Sequence, residues 1–206
     1  MFIPVMLAAV TVIGLGDRTV QAAPSDQAAY AALLSEKAIE AYATNNDACP
    51  GATVTSVAGI PFDDASFPPS LAAKYNVTPL IHERVKVSGC GRDSIQNLTV
   101  LRTADQKLLM IASLPGLSRS GLILQRDAFV TALTVANLPS PCGDKTLAPE
   151  LAKWGEVSIT SPPDAKGAWT ELWPLRLCGQ DRSLSVTFTP TPDIGGTAFS
   201  VSKAWK

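Results

Sequence analysis

Apolar and polar residues alternate along short segments that form two groups, one in each half of the chain. A period of two is typical of β-strands that bury one face. Strands are predicted over Glu83–Gly89, Asn97–Thr103, Lys107–Ser113, Glu171–Leu177, Ser183–Thr189 and Thr197–Lys203, and shorter ones over Thr53–Ala58 and Glu156–Ile159. Turn-forming residues at 104–106 and 192–196 predict hairpins, so we expect mostly antiparallel sheets.

Apolar residues at helical spacing precede each group of strands. One helix is predicted over Ser25–Asn45, with Ser25 at its N-cap, and a second over Leu124–Asn137. Leu147–Trp154 is compatible with a short extra helix. Two main helices are therefore expected, each followed by several strands.

The two halves also match each other in sequence. A shift of 88 residues places Glu83–Asp93 on Glu171–Asp181, with seven identities in 31 aligned positions and a shared Cys-Gly-x-Asp. A fixed internal period indicates a duplicated structural unit. We therefore predict an α+β fold with two pseudo-repeated α-β-β-β-β halves, 23–115 and 116–206, which together form one compact domain.

The N-terminal segment has the pattern of a secretory signal peptide. Residues 2–16 are apolar and uncharged, and Val20-Gln21-Ala22 forms a small-x-small cleavage site before Ala23. An uncleaved anchor is the alternative, but about 15 apolar residues fall short of the roughly 20 that span a bilayer. Residues 1–22 are thus expected to be removed. The mature chain, without an apolar run of spanning length, is expected to be periplasmic or secreted.

Four cysteines agree with export, because an even number in an exported chain is expected to pair. Each half has one cysteine after its helix and one at the end of a strand. The repeat favours Cys49 with Cys90 and Cys142 with Cys178, although pairing between the halves stays possible. The cysteines are too far apart in sequence for the close pairs of a structural zinc site.

Charge excludes one large class of partner. Charged residues make up 17% of the chain, the net charge is -1, and the lysines and arginines are scattered. Nucleic-acid binding normally needs a basic face, because phosphate contacts supply most of the affinity. No nucleic-acid partner is therefore expected, and no pattern for a metal or a cofactor is present.

The sequence contains one candidate for hydrolytic chemistry. His82 is the single histidine and is expected at the start of a strand, where a surface position is the plainer interpretation. The segment Pro115–Gly121 contains Ser118 and Ser120 but departs from the G-x-S-x-G elbow. We expect this segment to be a flexible loop between the halves, with Arg119 in solvent. An exported hydrolase using His82 with Ser118 or Ser120 remains the alternative.

The remaining chemical groups are expected to have structural roles or to line a groove. Asp93 and Asp181 follow Gly91 and Gly179 in the repeated motif, where an aspartate can fix a tight turn. Asp63 and Asp64 lie in a proline-rich loop and are interpreted as part of a turn. All four tryptophans lie in the second half: Trp173 is expected in the core, and Trp169 and Trp205 are candidates for a ligand groove.

These patterns favour binding over catalysis. Export, paired cysteines, near-neutral charge and no catalytic constellation indicate a non-catalytic envelope or secreted module that binds a protein, a peptide or a small ligand. A cleft between the duplicated halves is the expected site. A purely structural envelope protein is a further alternative.

Overall fold

The computed structural model describes residues 27–46, 49–61, 67, 69–138, 152–193 and 195–204. These residues form three helices and two antiparallel sheets. The helices are α1 (Gln27–Asn45), α2 (Pro69–Tyr75) and α3 (Leu122–Ala136). The strands are β1 (Thr53–Pro61), β2 (Val77–Gly89), β3 (Arg92–Thr103), β4 (Leu108–Ser113), β5 (Ala152–Trp154), β6 (Ser158–Ser161), β7 (Trp169–Leu177), β8 (Gln180–Pro190) and β9 (Thr197–Lys203).

The first sheet is a four-stranded meander in the order β1-β2-β3-β4, with α1 packed on one face. Alternation along β2 points Val85 and Val87 toward the helix, and both are fully buried. From the helix, Leu34, Ala38 and Tyr42 complete this core. The period-two pattern of the sequence is therefore the pattern of burial against α1.

The second sheet repeats this arrangement with α3 as its helix. Its order is β5-β7-β8-β9, and β6 also pairs with β7. Strand β5 pairs with residues 175–177 and β6 with residues 170–172, so the two short strands occupy successive parts of one edge of β7. The core contains Ala128, Ala132, Leu133, Ala136, Trp173, Leu175, Leu177, Leu184, Val186 and Phe188.

The segment between the halves is hydrogen-bonded to the first sheet and to Val157, which directly precedes β6 of the second. Gly116 N–H donates to Ile95 O at 2.8 Å, and Leu117 N–H donates to Val157 O at 2.7 Å. Val157 N–H in turn donates to Pro115 O at 2.8 Å. The loop that was expected to be flexible is thus held in place, although Arg119 is exposed as expected.

The two Cys-Gly pairs form equivalent two-residue hairpin turns. Gly89 pairs with Arg92 and Leu177 with Gln180, so each Cys-Gly pair occupies the two turn positions. Cys90 and Cys178 both have a φ of 48°, and Gly91 and Gly179 have φ of 72° and 79°. Positive φ at both central positions defines the turn whose twist matches that of antiparallel strands.

The disulfide predicted for the first half is present. Cys49 and Cys90 are bonded with their Cα atoms 5.9 Å apart, which joins the segment after α1 to the β2–β3 turn. Cys178 is also disulfide-bonded, and Cys142, its predicted partner, lies outside the described residues. Disulfides of this kind are typical of an oxidising compartment.

Several expected boundaries differ from those observed. The two main helices lie within two residues of their predicted positions over the described range. The extra helix over Leu147–Trp154 is wrong for its described part, since Ala152–Trp154 is β5. His82 does not precede its strand but lies inside β2, which begins at Val77. Helix α2 was not predicted, and the signal peptide lies outside the described residues.

Candidate functional site

A cavity of about 380 Å³ lies at the seam between the two halves. The end of α1 and the end of β4 line it from the first half, and the first turns of α3 together with β5 line it from the second. Its lining residues are mainly apolar or small, and they include Ala41, Ala112, Leu114, Leu122, Phe129 and Trp154. Ligand sites in proteins are typically apolar hollows of about 300–1,000 Å³ with a few polar groups.

Small side chains and one fixed indole shape this cavity. Ala41, Ala112 and Ala152 leave space where longer side chains would fill it. Trp154 packs against Phe129 with ring centroids 5.2 Å apart, and edge-on against Trp173 at 6.0 Å. Because Trp154 is 7% exposed and held on both sides, it forms a rigid wall.

Two amide side chains fix the backbone around the cavity. Asn45 Oδ1 accepts a hydrogen bond of 3.0 Å from Trp154 N–H, which joins α1 to β5. Gln125 accepts from Leu114 N–H at 2.9 Å and donates to Ser120 O at 2.7 Å. The cavity wall is therefore tied together across both halves.

The single charged lining side chain of this cavity, within the described residues, is paired. Arg126 lies at the rim and contacts the Asp127 carboxylate at 2.7 Å. This hydrogen-bonded carboxylate raises the pKa of Arg126 above its ordinary value. The charge of Arg126 is thus balanced by Asp127, and the ion pair adds no net charge to the apolar cavity.

A buried carboxylate anchors the loop beside the cavity. Glu171 is fully buried on the α3-facing side of β7. Its oxygens accept hydrogen bonds from Ser118 Oγ, Arg119 N, Ser120 N, Ser120 Oγ, Trp169 Nε1 and Trp173 Nε1 at 2.8–3.4 Å. A buried ionised group is tolerated when its lone pairs are satisfied in this way. Glu171 therefore connects the loop between the halves to the second sheet.

The residue that matches Glu171 in the first half has a different environment. Glu83 is 6% exposed on the α1-facing side of β2, and Tyr30 Oη donates to its Oε1 at 2.6 Å. Its Oε2 has no hydrogen-bond partner. Burial raises the pKa of the Glu83 carboxyl above its ordinary value.

A second cavity, of about 340 Å³, adjoins the apolar one. Asn45 and Trp154 line both cavities. The charged residues around the second cavity are Arg92, Lys153, Arg176, Asp181 and Arg182. Its lining is therefore basic as well as polar, in contrast to the apolar cavity beside it.

A third cavity, of about 240 Å³, brings together the candidate hydrolytic residues. His82, Ser118 and Ser120 all line it. The two serine hydroxyls lie 2.6 Å apart, and Ser118 Oγ lies 2.9–3.1 Å from both oxygens of Glu171. His82 Nδ1 lies 3.1 Å from Thr99 Oγ1. The polar contacts of Ser118 are thus directed to a carboxylate, which is the arrangement of a structural anchor.

The other residues selected from the sequence are placed as follows. Asp93 and Asp181 are the second residues of β3 and β8, and each forms a cross-strand ion pair, with Lys86 at 2.6 Å and with Arg176 at 2.8 Å. Trp173 is buried, as expected. Trp169 stacks on Phe188 at 4.9 Å and belongs to the edge of the core rather than to the apolar cavity. Trp205, Asp63 and Asp64 lie outside the described residues.

The alternation of side chains along a strand could have identified the two buried glutamates. Glu171 lies on the same face of its strand as Trp173, Leu175 and Leu177, and Glu83 on the same face as Val85 and Val87. A carboxylate on the apolar face of a strand needs a partner inside the protein. The sequence contained this signal, but it gave no information about which groups would be the partners.

Comparison with protein-family models, with curated proteins and with solved structures finds no match to this chain. Among the described residues, no group of three or more metal-binding side chains occurs. No helix in the described part of the chain is both long and apolar enough to cross a membrane. The function is therefore argued from the cavities themselves.

Proposed function

We propose that this chain is an exported, non-catalytic binding module that holds a small apolar ligand between its two halves. The observation that carries the proposal is the apolar cavity of about 380 Å³ at the seam. The signal-peptide pattern and the disulfide between Cys49 and Cys90 support export. The largely apolar lining, whose charged residue Arg126 is paired with Asp127, favours an apolar ligand body over a strongly polar one.

The module is proposed to be a duplicated unit with its ligand site at the junction of the copies. The matching Cys-Gly turns and the matching positions of Glu83 and Glu171 support this origin. Each half supplies one helix and one sheet edge to the cavity. A cavity of this kind needs both halves, because neither encloses it alone.

A binding titration with a neutral probe tests the proposal. Mature protein would be titrated with N-phenyl-1-naphthylamine, whose fluorescence rises in an apolar environment. Ala112 is an exposed strand residue that lines the cavity, so Ala112→Phe would occupy part of its volume. We expect saturable binding by the unsubstituted protein and at least tenfold weaker binding by this variant.

Ala198→Phe is the matched control, because Ala198 is also exposed on a strand but lies outside the cavity lining. Its affinity for the probe should stay within a factor of two of that of the unsubstituted protein. Absence of saturable binding, or equal losses in the two variants, would contradict the proposed site. The first of these results would favour a purely structural role.

A hydrolase is the second candidate, since His82, Ser118 and Ser120 share one cavity. Ester hydrolysis would be measured with p-nitrophenyl acetate on the unsubstituted protein and on His82→Gln, which leaves the Glu171 contacts intact. Turnover above the buffer rate that is lost in His82→Gln would support the hydrolase. We expect no such turnover, because the polar contacts of both serine hydroxyls include Glu171.

A further inference from the structure

The apolar and the basic cavities meet at a shared wall. Asn45 and Trp154 line both, and the hydrogen bond from Trp154 N–H to Asn45 Oδ1 lies at their junction. A molecule long enough to extend past this junction would contact an apolar surface at one end and a polar surface at the other.

The basic cavity concentrates positive charge in a chain whose net charge is -1. Arg92, Lys153, Arg176 and Arg182 are four cations against one anion, Asp181. Asp181 pairs with Arg176 at 2.8 Å and Lys153 has a further contact of its own, so the positive charge that the inference uses is that of Arg92 and Arg182. Clustered cations of this kind favour an anionic group, and arginine in particular matches the geometry of carboxylate and phosphate.

The cations come from both halves of the molecule. Arg92 begins β3 in the first sheet, and Arg182 lies in β8 of the second. Arg182 has the same strand parity as the buried Leu184 and Val186, so it lies on the core-facing side of its sheet. The guanidinium group of Arg182 is held by Asp181 O at 3.1 Å and by Gln180 Oε1 at 2.6 Å. One positive group on the inner face is therefore fixed in position.

We infer that the ligand is a monomeric anionic amphiphile, with its apolar body in the 380 Å³ cavity and its carboxylate or phosphate head in the basic cavity. The basic cavity on one side of Trp154 suits an anionic head, and the apolar cavity on the other side suits an apolar chain. Together they favour this class of ligand over a neutral hydrocarbon. The inference rests on the proposed function, because it requires the apolar cavity to be the ligand site. It adds that the headgroup contributes to affinity.

The test compares amphiphiles that differ only in their heads. Dodecanoate, dodecyl phosphate and dodecanol would each displace N-phenyl-1-naphthylamine from the mature protein. We expect both anions to bind at least tenfold more tightly than the alcohol. In the double variant Arg92→Gln with Arg182→Gln, this preference should fall below threefold while the affinity for dodecanol stays unchanged.

A charge-matched control removes two cations elsewhere. Arg102→Gln with Lys166→Gln changes the net charge equally, and neither residue lines the basic cavity. This variant should keep the preference for anions. Thermal unfolding of both double variants would show that each is folded at the temperature of the titration.

The outcomes separate the inference from the proposed function. Displacement by all three amphiphiles with equal affinity would overturn the headgroup inference and leave the apolar site intact. Displacement by none would overturn both. A preference for anions that survives Arg92→Gln with Arg182→Gln would place the headgroup elsewhere. Binding to phosphatidylglycerol vesicles without binding to monomeric dodecyl phosphate would overturn the inference and indicate that the protein binds an anionic membrane surface.

Discussion

Glu171 accepts hydrogen bonds from three separate parts of the chain. They come from the loop between the halves, from Trp169 at the start of β7, and from Trp173 in the core. Water does not reach this carboxylate, so its loss would leave the buried Nε1 of Trp173 without this acceptor. Glu171 is therefore one of the main anchors of the loop, beside Gln125 and the backbone hydrogen bonds of Gly116 and Leu117.

Glu171→Ala should destabilise the protein by about 3 kcal/mol or more. The buried Nε1 of Trp173 would lose its acceptor, and an orphaned buried donor costs about 1–3 kcal/mol. The hydrogen bonds that hold the loop, from Arg119 N and Ser120 N, would be lost as well. Chemical denaturation at neutral pH measures this loss. Glu36→Ala on α1 is the control, because Glu36 is exposed, and a change within about 0.5 kcal/mol is expected there. Equal losses in the two variants would show that Glu171 is not an anchor.

Glu83 should make stability depend on pH. Its pKa is raised in the folded state by burial, from an ordinary value of 4.5. Folding favours the protonated form of Glu83. The contribution of Glu83 to the free energy of unfolding is therefore fully present below pH 4.5 and is lost as the pH rises through the folded pKa. Glu83→Gln removes this titration.

The measurement is the free energy of unfolding of Glu83→Gln minus that of the unsubstituted protein, from acid to neutral pH. This difference should become more favourable to the variant as the pH rises, because only the unsubstituted protein must bury a charge. Glu36→Gln, at an exposed position on α1, is the matched control for the substitution itself. A difference that stays constant with pH would contradict the raised pKa.

The sequence indicates which face of its strand each glutamate occupies, but not which groups bind its carboxylate. The alternation of Glu83 and Glu171 with buried residues marks them as inward-facing. Their partners lie 52–53 residues away in the sequence, at Tyr30 and at residues 118–119. No local pattern encodes contacts at that separation, so the sequence predicted the segment around Ser118 only as a flexible loop.

At the scale of elements, three glycines form turns or close contacts that other residues would strain. Gly91 and Gly179 have positive φ with open space where a Cβ would lie. Gly116 has a φ of 93°, and a Cβ there would lie 2.4 Å from Val157 O. The turns therefore need glycine for backbone conformation alone, whereas Gly116 is also needed for close approach.

Gly116→Ala should cost more stability than Gly91→Ala. Left-handed backbone costs a side-chain residue about 1–2 kcal/mol, which is the whole expected effect at Gly91. At Gly116 the clash with Val157 adds to it, so we expect about 3 kcal/mol or more. Denaturant midpoints of the two variants measure this order. Similar losses would show that the bridge between Gly116 and Val157 adjusts freely.

The sequence predicted most elements but missed those that depend on tertiary contact. The two main helices and six principal strands are present because their apolar periodicity is long enough to be distinctive. Helix α2 starts with Pro69 after a proline-rich stretch, so its local pattern resembled a loop. Strand β5 was missed because it has three residues and only its pairing with β7 defines it. Strand β6 was predicted, two residues early, over Glu156–Ile159.

At the scale of the whole molecule, several hydrogen bonds join the halves. Trp154 N–H donates to Asn45 Oδ1 at 3.0 Å, and Ile95 N–H donates to Glu156 Oε1 at 2.5 Å. The loop is hydrogen-bonded at Gly116 to Ile95 of β3 and at Leu117 to Val157, which directly precedes β6. These contacts favour a single cooperative unit.

The protein should therefore unfold in one step. All three tyrosines lie in the first half and all four tryptophans in the second, so each half has its own reporter. We expect ¹⁹F NMR of fluorotyrosine-labelled and fluorotryptophan-labelled protein to give the same thermal midpoint. Tyr42, which is buried in the first core, is the most informative tyrosine. Two separate midpoints would mean that the halves fold as independent domains.

The sequence predicted a ligand site between the halves, but not the residues that line it. A cleft between duplicated halves followed from the internal match, but the lining comes from residues between Ala41 and Trp154. Its apolar character depends on the alanines at 41, 112 and 152 converging in space. Nothing in the alternation of single strands identifies such convergence, so the basic cavity beside it was also missed.

The anchoring of the loop by Glu171 has a consequence for how this molecule can change over time. Leu114 and Pro115 line the apolar cavity, and they belong to the segment whose far end Glu171 and Gln125 hold. Part of the frame of the cavity is thus set by Glu171, which does not line it. If the cavity holds a ligand as proposed, a residue such as Ala112 can be exchanged to accept ligands of different size while Glu171 keeps the loop in place. A few replacements of small residues would then change the preferred ligand without rebuilding the scaffold.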